Sequence, residues 1–215
     1  MSQIDIENNV ELKKLIFSQG FNILAVLQVG SQSTPSLCDS HSDCDLVIIV
    51  NDPHVYYECP IRYKQDLFTV HWKYMSLTMF LDAGKEHYDS KLVGLNRYCY
   101  APVGINTFLM PLYVTSDYKS IVDSINWNQY RVNIAKHELY HYQSYIHQLL
   151  SEKYCRQYAS KKLHYLIYSL YIIKDKEDEL DWEQLRRIKR CAYVALTPDD
   201  VEFINKSILE MVEYI

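Results

Sequence analysis

Two aspartates, Asp43 and Asp45, stand at the start of an apolar segment, and their spacing predicts a metal-binding site. The apolar residues 46–50 are rich in valine and isoleucine and predict a buried strand. Because side chains alternate across a strand, both carboxylates would project from the same face. Neighbouring carboxylates repel each other, and a divalent cation between them relieves that repulsion. Oxygen ligands at this spacing suit Mg²⁺ or Mn²⁺ rather than zinc.

A glycine and a serine, Gly30 and Ser31, follow another apolar segment that predicts a strand over residues 23–29. Gly30 lets the backbone turn sharply, and Ser31 adds a hydroxyl and an N–H group. Such a turn can bind a phosphate through its backbone N–H groups. A phosphate cradle that faces a carboxylate-bound metal is the minimum apparatus for phosphoryl or nucleotidyl transfer.

The order Gly30-Ser31, residues 32–42 and then Asp43-Cys44-Asp45 before a strand resembles the signature of the DNA polymerase β-type nucleotidyltransferase superfamily. Within it, the chain is most similar to the bacterial and phage predicted nucleotidyltransferases, which carry Gly-Ser and then Ser-Asp-x-Asp. Cys44 replaces the larger apolar residue that is usual between the aspartates. Residues 64–84, 160–174 and 185–190 also resemble segments of that group.

The resemblance implies transfer of a nucleoside monophosphate, AMP by default, from a nucleoside triphosphate to an acceptor hydroxyl with Mg²⁺ catalysis. It implies a third carboxylate on a neighbouring strand, which completes the metal site and acts as the base. Asp66 is the first candidate for that carboxylate and Glu58 the second. Further nucleotide-binding residues are expected at Ser42, Lys161 and Lys162.

The chain pattern predicts an α+β fold, in which an α/β core with a small mixed sheet is followed by an all-helical bundle. The predicted catalytic domain is 1–120, and the helical domain is 121–215. Strands are expected over residues 23–29, 46–50, 66–72 and within 108–114. Helices are expected over residues 4–19, 75–83, 116–124, 128–150, 155–173 and 182–190, and from Thr197 to the end, with Thr197 as the N-cap.

The amino-acid composition of the chain argues against some classes of function. The 215-residue chain has a formal net charge of −5, which argues against non-specific nucleic-acid binding, although local basic clusters can still meet a polyanion. Its six cysteines include no C-x-x-C pair and follow a polar, acidic N-terminus, so we expect free thiols in the cytoplasm. No apolar run approaches membrane-spanning length.

The sequence does not identify the acceptor, which could be a protein side chain, an RNA end or a small molecule. Nothing in the sequence indicates the oligomeric state.

A rival motif, His137-Glu138-x-x-His141, is a literal H-E-x-x-H. On a helix it would place two imidazoles on one face for zinc, with Glu138 as the general base of a hydrolase. His147 falls at the third-ligand position of the metzincin pattern, but Ser144 stands where that pattern has glycine. A continuous helix would then carry His147 away from the zinc face.

Three further alternatives stay open. The chain could be a non-catalytic interaction module that keeps only the nucleotidyltransferase fold. Arg131 with His137 loosely resembles the spaced Arg-and-His pair of helical RNases. A dense basic patch could bind the acceptor or simply form a solvated helix face; its members are Arg186, Arg187, Lys189 and Arg190.

Overall fold

The computed structural model of the chain describes residues 4–29, 43–65, 68–85, 111–150, 156–191 and 194–215. Four residues of the predicted nucleotide and metal site lie outside these ranges, namely Gly30, Ser31, Ser42 and Asp66. Helix backbone is described at Lys161, but its side chain is not. The predictions for these five positions therefore stay predictions.

The N-terminal part is built on a mixed, 6-stranded sheet. Its strands are β1 (Ile23–Val29), β2 (Cys44–Val50), β3 (Tyr56–Glu58), β4 (Tyr63–Gln65), β5 (Phe68–Ser76) and β6 (Tyr113–Val114). The order is β3-β5-β2-β1-β6, and β4 also pairs with β5. Only β2 and β5 run parallel among the described pairs, whereas the others are antiparallel.

The strongest apolar segments form the centre of this sheet. Strand β1 has the predicted bounds, whereas β2 begins two residues before the predicted start, and β5 runs from Phe68 to Ser76 rather than over 66–72. The predicted strands do not include β3 and β4. The described side chains of β3 and β4 are exposed or half-buried, so no alternation of buried residues marked them.

Helices cover both faces of the sheet. Helix α1 (Val10–Phe17), which begins after the Asn9 cap rather than at residue 4, packs on the face that contains Leu46 and Trp72. Helices α2 (Leu77–Ala83), α3 (Ser116–Asp123) and α4 (Trp127–His141) cover the other face, which contains Val47 and Ile49. We call this second surface the inner face. The candidate site lies on it.

The C-terminal part of the chain is helical. Its further helices are α5 (Gln143–Leu150), α6 (Arg156–Ile173), α7 (Trp182–Lys189) and α8 (Pro198–Val212). Helix α4 joins two cores, because Tyr130 and Ile134 pack with the sheet while Ala135 and Leu139 pack with the later helices. The α+β fold with a helical C-terminal part is thus confirmed. The division into 1–120 and 121–215 remains a prediction.

The prediction of one continuous helix over residues 128–150 is wrong. Helix α4 ends at His141 and α5 begins at Gln143, with Tyr142 between them at φ −98° and ψ 15°. No glycine or proline marks this break. At this break, the Tyr142 hydroxyl accepts a hydrogen bond of 2.6 Å from Lys162 Nζ of α6, a tertiary contact that local sequence does not reveal.

Two helix starts show how the caps act. Thr197 is the N-cap of α8, as predicted, and forms a capping box with Asp200. Helix α3 begins at Ser116, but its cap is Thr115, whose side chain accepts a hydrogen bond from the Tyr118 N–H. In the described part of the chain, no helix is both long and apolar enough to cross a membrane.

The predicted basic patch is partly a structural ion pair. The Arg187 guanidinium donates to Asp200 through Nη2–Oδ1 (2.9 Å) and Nε–Oδ2 (3.2 Å), and the Asp200 side chain is fully buried. Asp200 Oδ2 also accepts from the Thr197 N–H at 2.9 Å. Arg187, and then Thr197, hold the pKa of Asp200 well below its ordinary value. Arg187 therefore joins α7 to the start of α8.

Arg187→Ala is expected to lower the Tm by several degrees near neutral pH, because Asp200 would stay buried without its cation. A lowered carboxyl pKa contributes stability above the unfolded value of about 3.9, and that stability is lost as the pH falls through the folded pKa. The difference in Tm from the wild type should therefore shrink in strong acid. Thermal melts against pH measure it, with Arg186→Ala as the matched control. An equal loss in both variants would contradict the assigned pair.

Candidate functional site

The inner face of the sheet changes from apolar to polar at one end. Along β2, Ile49 and Val47 are fully buried, whereas Asp45 on the same face is exposed. Asp45 pairs with Val29 of β1 on one side and with His71 of β5 on the other. Paired residues share a face, so these residues form a row across three strands. The polar end therefore lies where β1 ends and β2 begins.

The two predicted metal ligands lie at this end. Asp43 and Asp45 are both exposed, while Cys44 between them is fully buried on the opposite face. This agrees with the alternation that the sequence predicts. Nε2 of His71 lies 3.7 Å from Asp43 Oδ2, and 27% of the His71 side chain is exposed. Asp43 and Asp45 thus both lie next to His71.

Sequence analysis missed His71. The alternation of β5 was a usable signal, since Val70 and Trp72 are buried on the opposite face and leave Thr69 and His71 on the inner face. The register between β2 and β5 was not readable from the sequence. Only the pairing of Asp45 with His71 shows that the imidazole lies beside the carboxylates.

The structure shows where two residues related to the predicted site lie, namely the residue before Gly30 and the second candidate for the third carboxylate. Val29, which precedes Gly30 in the sequence, lies beside Asp45. Glu58, the second candidate for the third carboxylate, pairs with Lys73 on the far side of β5 from β2. It therefore does not join Asp45 in one row. Asp66 remains the first candidate.

The carboxylates of Asp43 and Asp45 suit a hard cation whose remaining ligands are water and substrate phosphates. No group of three or more His, Cys, Asp or Glu side chains close enough to hold one metal ion occurs in the described ranges. Asp43 and Asp45 supply two exposed carboxylates. Mg²⁺ is commonly held by one or two carboxylates together with water and substrate phosphates, rather than by a complete protein cage. The two aspartates therefore fit Mg²⁺ in number and in chemistry.

Helix α4 packs on the inner face of the sheet, and α6 packs against α4. Burial raises the pKa of Glu138 on α4 to about 8, and the Lys162 charge on α6 opposes that shift. Burial raises the pKa of Tyr165 on α6 to about 12, and the charges of Asp45 and Glu138 add to the rise. Tyr165 therefore lies near the carboxyl groups of Asp45 and Glu138.

Lys162, a predicted nucleotide-binding residue, belongs to the same region. Its Nζ donates to the Tyr142 hydroxyl at 2.6 Å and lies 4.0 Å from the centroid of that ring. The Lys162 side chain is exposed. Residues three apart share a helix face, so Lys162 and Tyr165 lie on one side of α6. A positive charge of the helical part thus lies on the side of α6 that approaches Asp45.

The described residues give the zinc alternative no support. Nε2 of His137 is 2.8 Å from the Lys85 carbonyl oxygen, and His141 packs edge-on against Tyr142. No third donor joins them among the described side chains. The RNase-like pair is not assembled either, because Arg131 forms an ion pair of 2.6 Å with Glu177. Arg131 and His137 lie roughly 120° apart around α4.

Glu138→Gln is expected to raise stability in mildly alkaline solution. The folded pKa of about 8 exceeds the unfolded value of about 4.3, so wild-type stability falls as the pH rises between these values. Glutamine carries no titrating proton and avoids this loss. Thermal melts should show a higher Tm than the wild type near the upper value and a similar Tm near the lower one. Glu202→Gln, an exposed change on α8, is the control. A gain of the same size at both pH values would contradict the assignment.

Comparison with known proteins adds little to this geometry. No protein-family model matches the chain, and the search of curated proteins found no match. One similar solved structure is that of a nucleotidyltransferase-like protein from Exiguobacterium sibiricum 255-15. The alignment covers 97% of this chain and 74% of that protein, with 12% identity and a TM-score of 0.34. A likeness at this level carries no argument, so the candidate site rests on the residues of the chain itself.

Proposed function

We propose that the chain is a nucleotidyltransferase that moves a nucleoside monophosphate, AMP by default, from a nucleoside triphosphate to an acceptor hydroxyl. One observation carries the proposal. The exposed carboxylates of Asp43 and Asp45 lie at the polar end of an otherwise apolar sheet face, beside the end of β1 at Val29. The order of residues in the sequence adds Gly30 and Ser31 directly after Val29.

In this proposal, Asp43 and Asp45 hold Mg²⁺, or Mn²⁺ in its place. When bound, such an ion neutralises the charge of the triphosphate and favours departure of pyrophosphate. Gly30 and Ser31 bind the outer phosphates through backbone N–H groups, and Ser42 adds a hydroxyl. These residues orient the triphosphate so that its α-phosphorus faces the acceptor.

The reaction forms one bond and breaks another. The acceptor oxygen attacks the α-phosphorus, the bond between that phosphorus and its bridging oxygen to the β-phosphate breaks, and pyrophosphate leaves. Asp66 takes the proton of the acceptor hydroxyl. The helical part closes the cleft and places the ammonium groups of Lys161 and Lys162 near the triphosphate oxygens.

The experiment is incubation of the purified chain and Mg²⁺ with each α-³²P-labelled nucleoside triphosphate in a cell extract. Label on a protein, an RNA or a small molecule would identify the acceptor class and the nucleotide. Omission of Mg²⁺ and the double change Asp43→Asn with Asp45→Asn provide the controls. Triphosphate binding without any labelled product would favour a non-catalytic module, and neither binding nor labelling would reject the proposal.

A further inference from the structure

The polar surface of the inner face continues outward from the aspartates onto β5 and β4. Asp45 pairs with His71, and Lys73 follows two residues later on β5. Thr69, two residues before His71, pairs with Lys64 of β4. Paired residues share a face, as do residues two apart in a strand. Lys64, Thr69, His71 and Lys73 therefore lie on the inner face, and we call them the outer strip.

Burial confirms this placement from the other side of the sheet. Val70 and Trp72, which alternate with the outer strip on β5, are buried with Leu46 in the core that α1 covers. Tyr63, which precedes Lys64 on β4, packs against the same core. The side chains of the strip therefore cannot lie on that face. Lys64 is exposed, and Lys73 is half-buried.

The outer strip is basic, although the chain as a whole has a net charge of −5. Lys64 lies two strand spacings from β2, which is roughly 10 Å from the aspartate pair. That separation is too long for direct ion pairing with Asp43. Glu58 pairs with Lys73 and offsets part of its charge, whereas the pairing partner of Lys64 is the neutral Thr69. Lys64 is therefore the main positive charge of the strip.

The strip and the end of β1 lie on opposite sides of the aspartates. Strand β1, which ends at Val29 before Gly30, flanks β2 on one side, and β5 flanks it on the other. A triphosphate that is bound from the β1 side would leave the β5 side of Asp45, where His71 lies, as the side for the second substrate. A cation roughly 10 Å from the aspartate pair suits an anionic group on that substrate.

We propose that the outer strip binds a phosphate group of the acceptor, adjacent to the hydroxyl that receives the nucleotide. The inference rests on the proposed function and narrows its acceptor to phosphate-bearing molecules. Lys64 supplies the principal charge, and Thr69 supplies a hydroxyl beside it. A phosphorylated small molecule and the end of a nucleic acid present the same chemistry, and the experiment distinguishes these two sources.

The test is direct binding at low salt with ribose 5-phosphate, ribose and a short single-stranded RNA that ends in a free hydroxyl. Wild-type chain is expected to bind at least one phosphate-bearing probe and not ribose. Lys64→Glu should weaken that binding about tenfold or more, because a favourable charge becomes repulsive. Lys64→Gln should show a smaller loss of the same kind. Lys206→Glu, at an exposed position on α8, is the matched control and should bind as the wild type does.

The outcomes distinguish a small phosphorylated acceptor from a nucleic-acid end. They also separate the proposal for the outer strip from the proposal of nucleotidyl transfer. Binding of RNA alone assigns the strip to nucleic acid, and binding of ribose 5-phosphate assigns it to a small phosphorylated acceptor. The proposal that the outer strip binds phosphate is overturned if the wild type and Lys64→Glu bind equally, or if neither phosphate probe binds. Triphosphate affinity should be unchanged in Lys64→Glu, and a loss there would contradict the separation of the two sites. Labelling of an acceptor that contains no phosphate would overturn the proposal for the outer strip but would leave the proposal of nucleotidyl transfer intact.

Discussion

Replacement of Asp43 and Asp45 together by asparagine is expected to reduce Mg²⁺-dependent nucleotide transfer by about a thousandfold or more. The amide oxygens bear no net charge, so the pair would lose its attraction for the cation. Both residues are exposed, and neither supports the buried core. Removal of two like charges should leave the chain without nucleotide as stable as before or slightly more stable.

Calorimetric titration of Mg²⁺ and triphosphate, together with thermal melts, separates these effects. The double variant should keep its Tm, lose Mg²⁺-dependent triphosphate binding and lose transfer. Asp178→Asn, at an exposed position of the turn Glu177–Glu179, is a matched loss of carboxylate charge and should change none of these quantities. Full transfer by the double variant under matched conditions would show that the site is elsewhere.

Gly84→Ala is expected to lower the free energy of unfolding by about 1–3 kcal/mol, or more, because no space exists for a methyl group. A Cβ at Gly84 would overlap Cδ2 of Tyr130 and lie 2.8 Å from Cγ of the same ring. That ring cannot move freely, because it is 5% exposed and its hydroxyl donates to the Phe80 carbonyl oxygen at 2.7 Å. The contact joins the end of α2 to α4, so the change would loosen the helices over the inner face.

Chemical denaturation measures the loss, and Gly20 supplies the contrasting control. Gly20 has φ +80° and no atom within 4 Å of a built Cβ, so Gly20→Ala should cost only about 1–2 kcal/mol of backbone strain. Gly20→Asn should cost less, since asparagine tolerates this conformation. In a Tyr130→Ala background, Gly84→Ala should become much less costly. An unchanged cost there would disprove the steric explanation.

The centre of the sheet was predictable because local sequence carries its signal. Continuous apolar segments predicted β1 and most of β2, since strands that are buried on both faces need no alternation. The cap at Thr197 was equally local, because its side chain bonds within the first turn of α8. The placement of Asp43 and Asp45 at one end of a strand followed directly from these segments.

The remaining features depend on contacts between distant segments. Strands β3 and β4 are short and lie on the edge of β5, so they carry no strong apolar pattern. The break at Tyr142 coincides with its contact to Lys162, twenty residues later in the chain. His71 joins the site only through the register between β2 and β5. To predict each of these features, one must know which segments are in contact. Sequence periodicity alone does not contain that information.

Paired labelling of the nucleotide tests the central claim most directly. The chain, Mg²⁺ and extract are incubated with ATP labelled at the α-phosphate and, in parallel, with ATP labelled at the γ-phosphate; the other α-labelled triphosphates follow if ATP gives no product. Nucleotidyl transfer predicts that only the α-label enters an acceptor and that the γ-label leaves in pyrophosphate. The double change at Asp43 and Asp45 should abolish both signals. All signals are taken relative to extract without the chain. Chain-dependent transfer of the γ-label to an acceptor, or chain-dependent release of inorganic phosphate without any labelled acceptor, would contradict the proposed function.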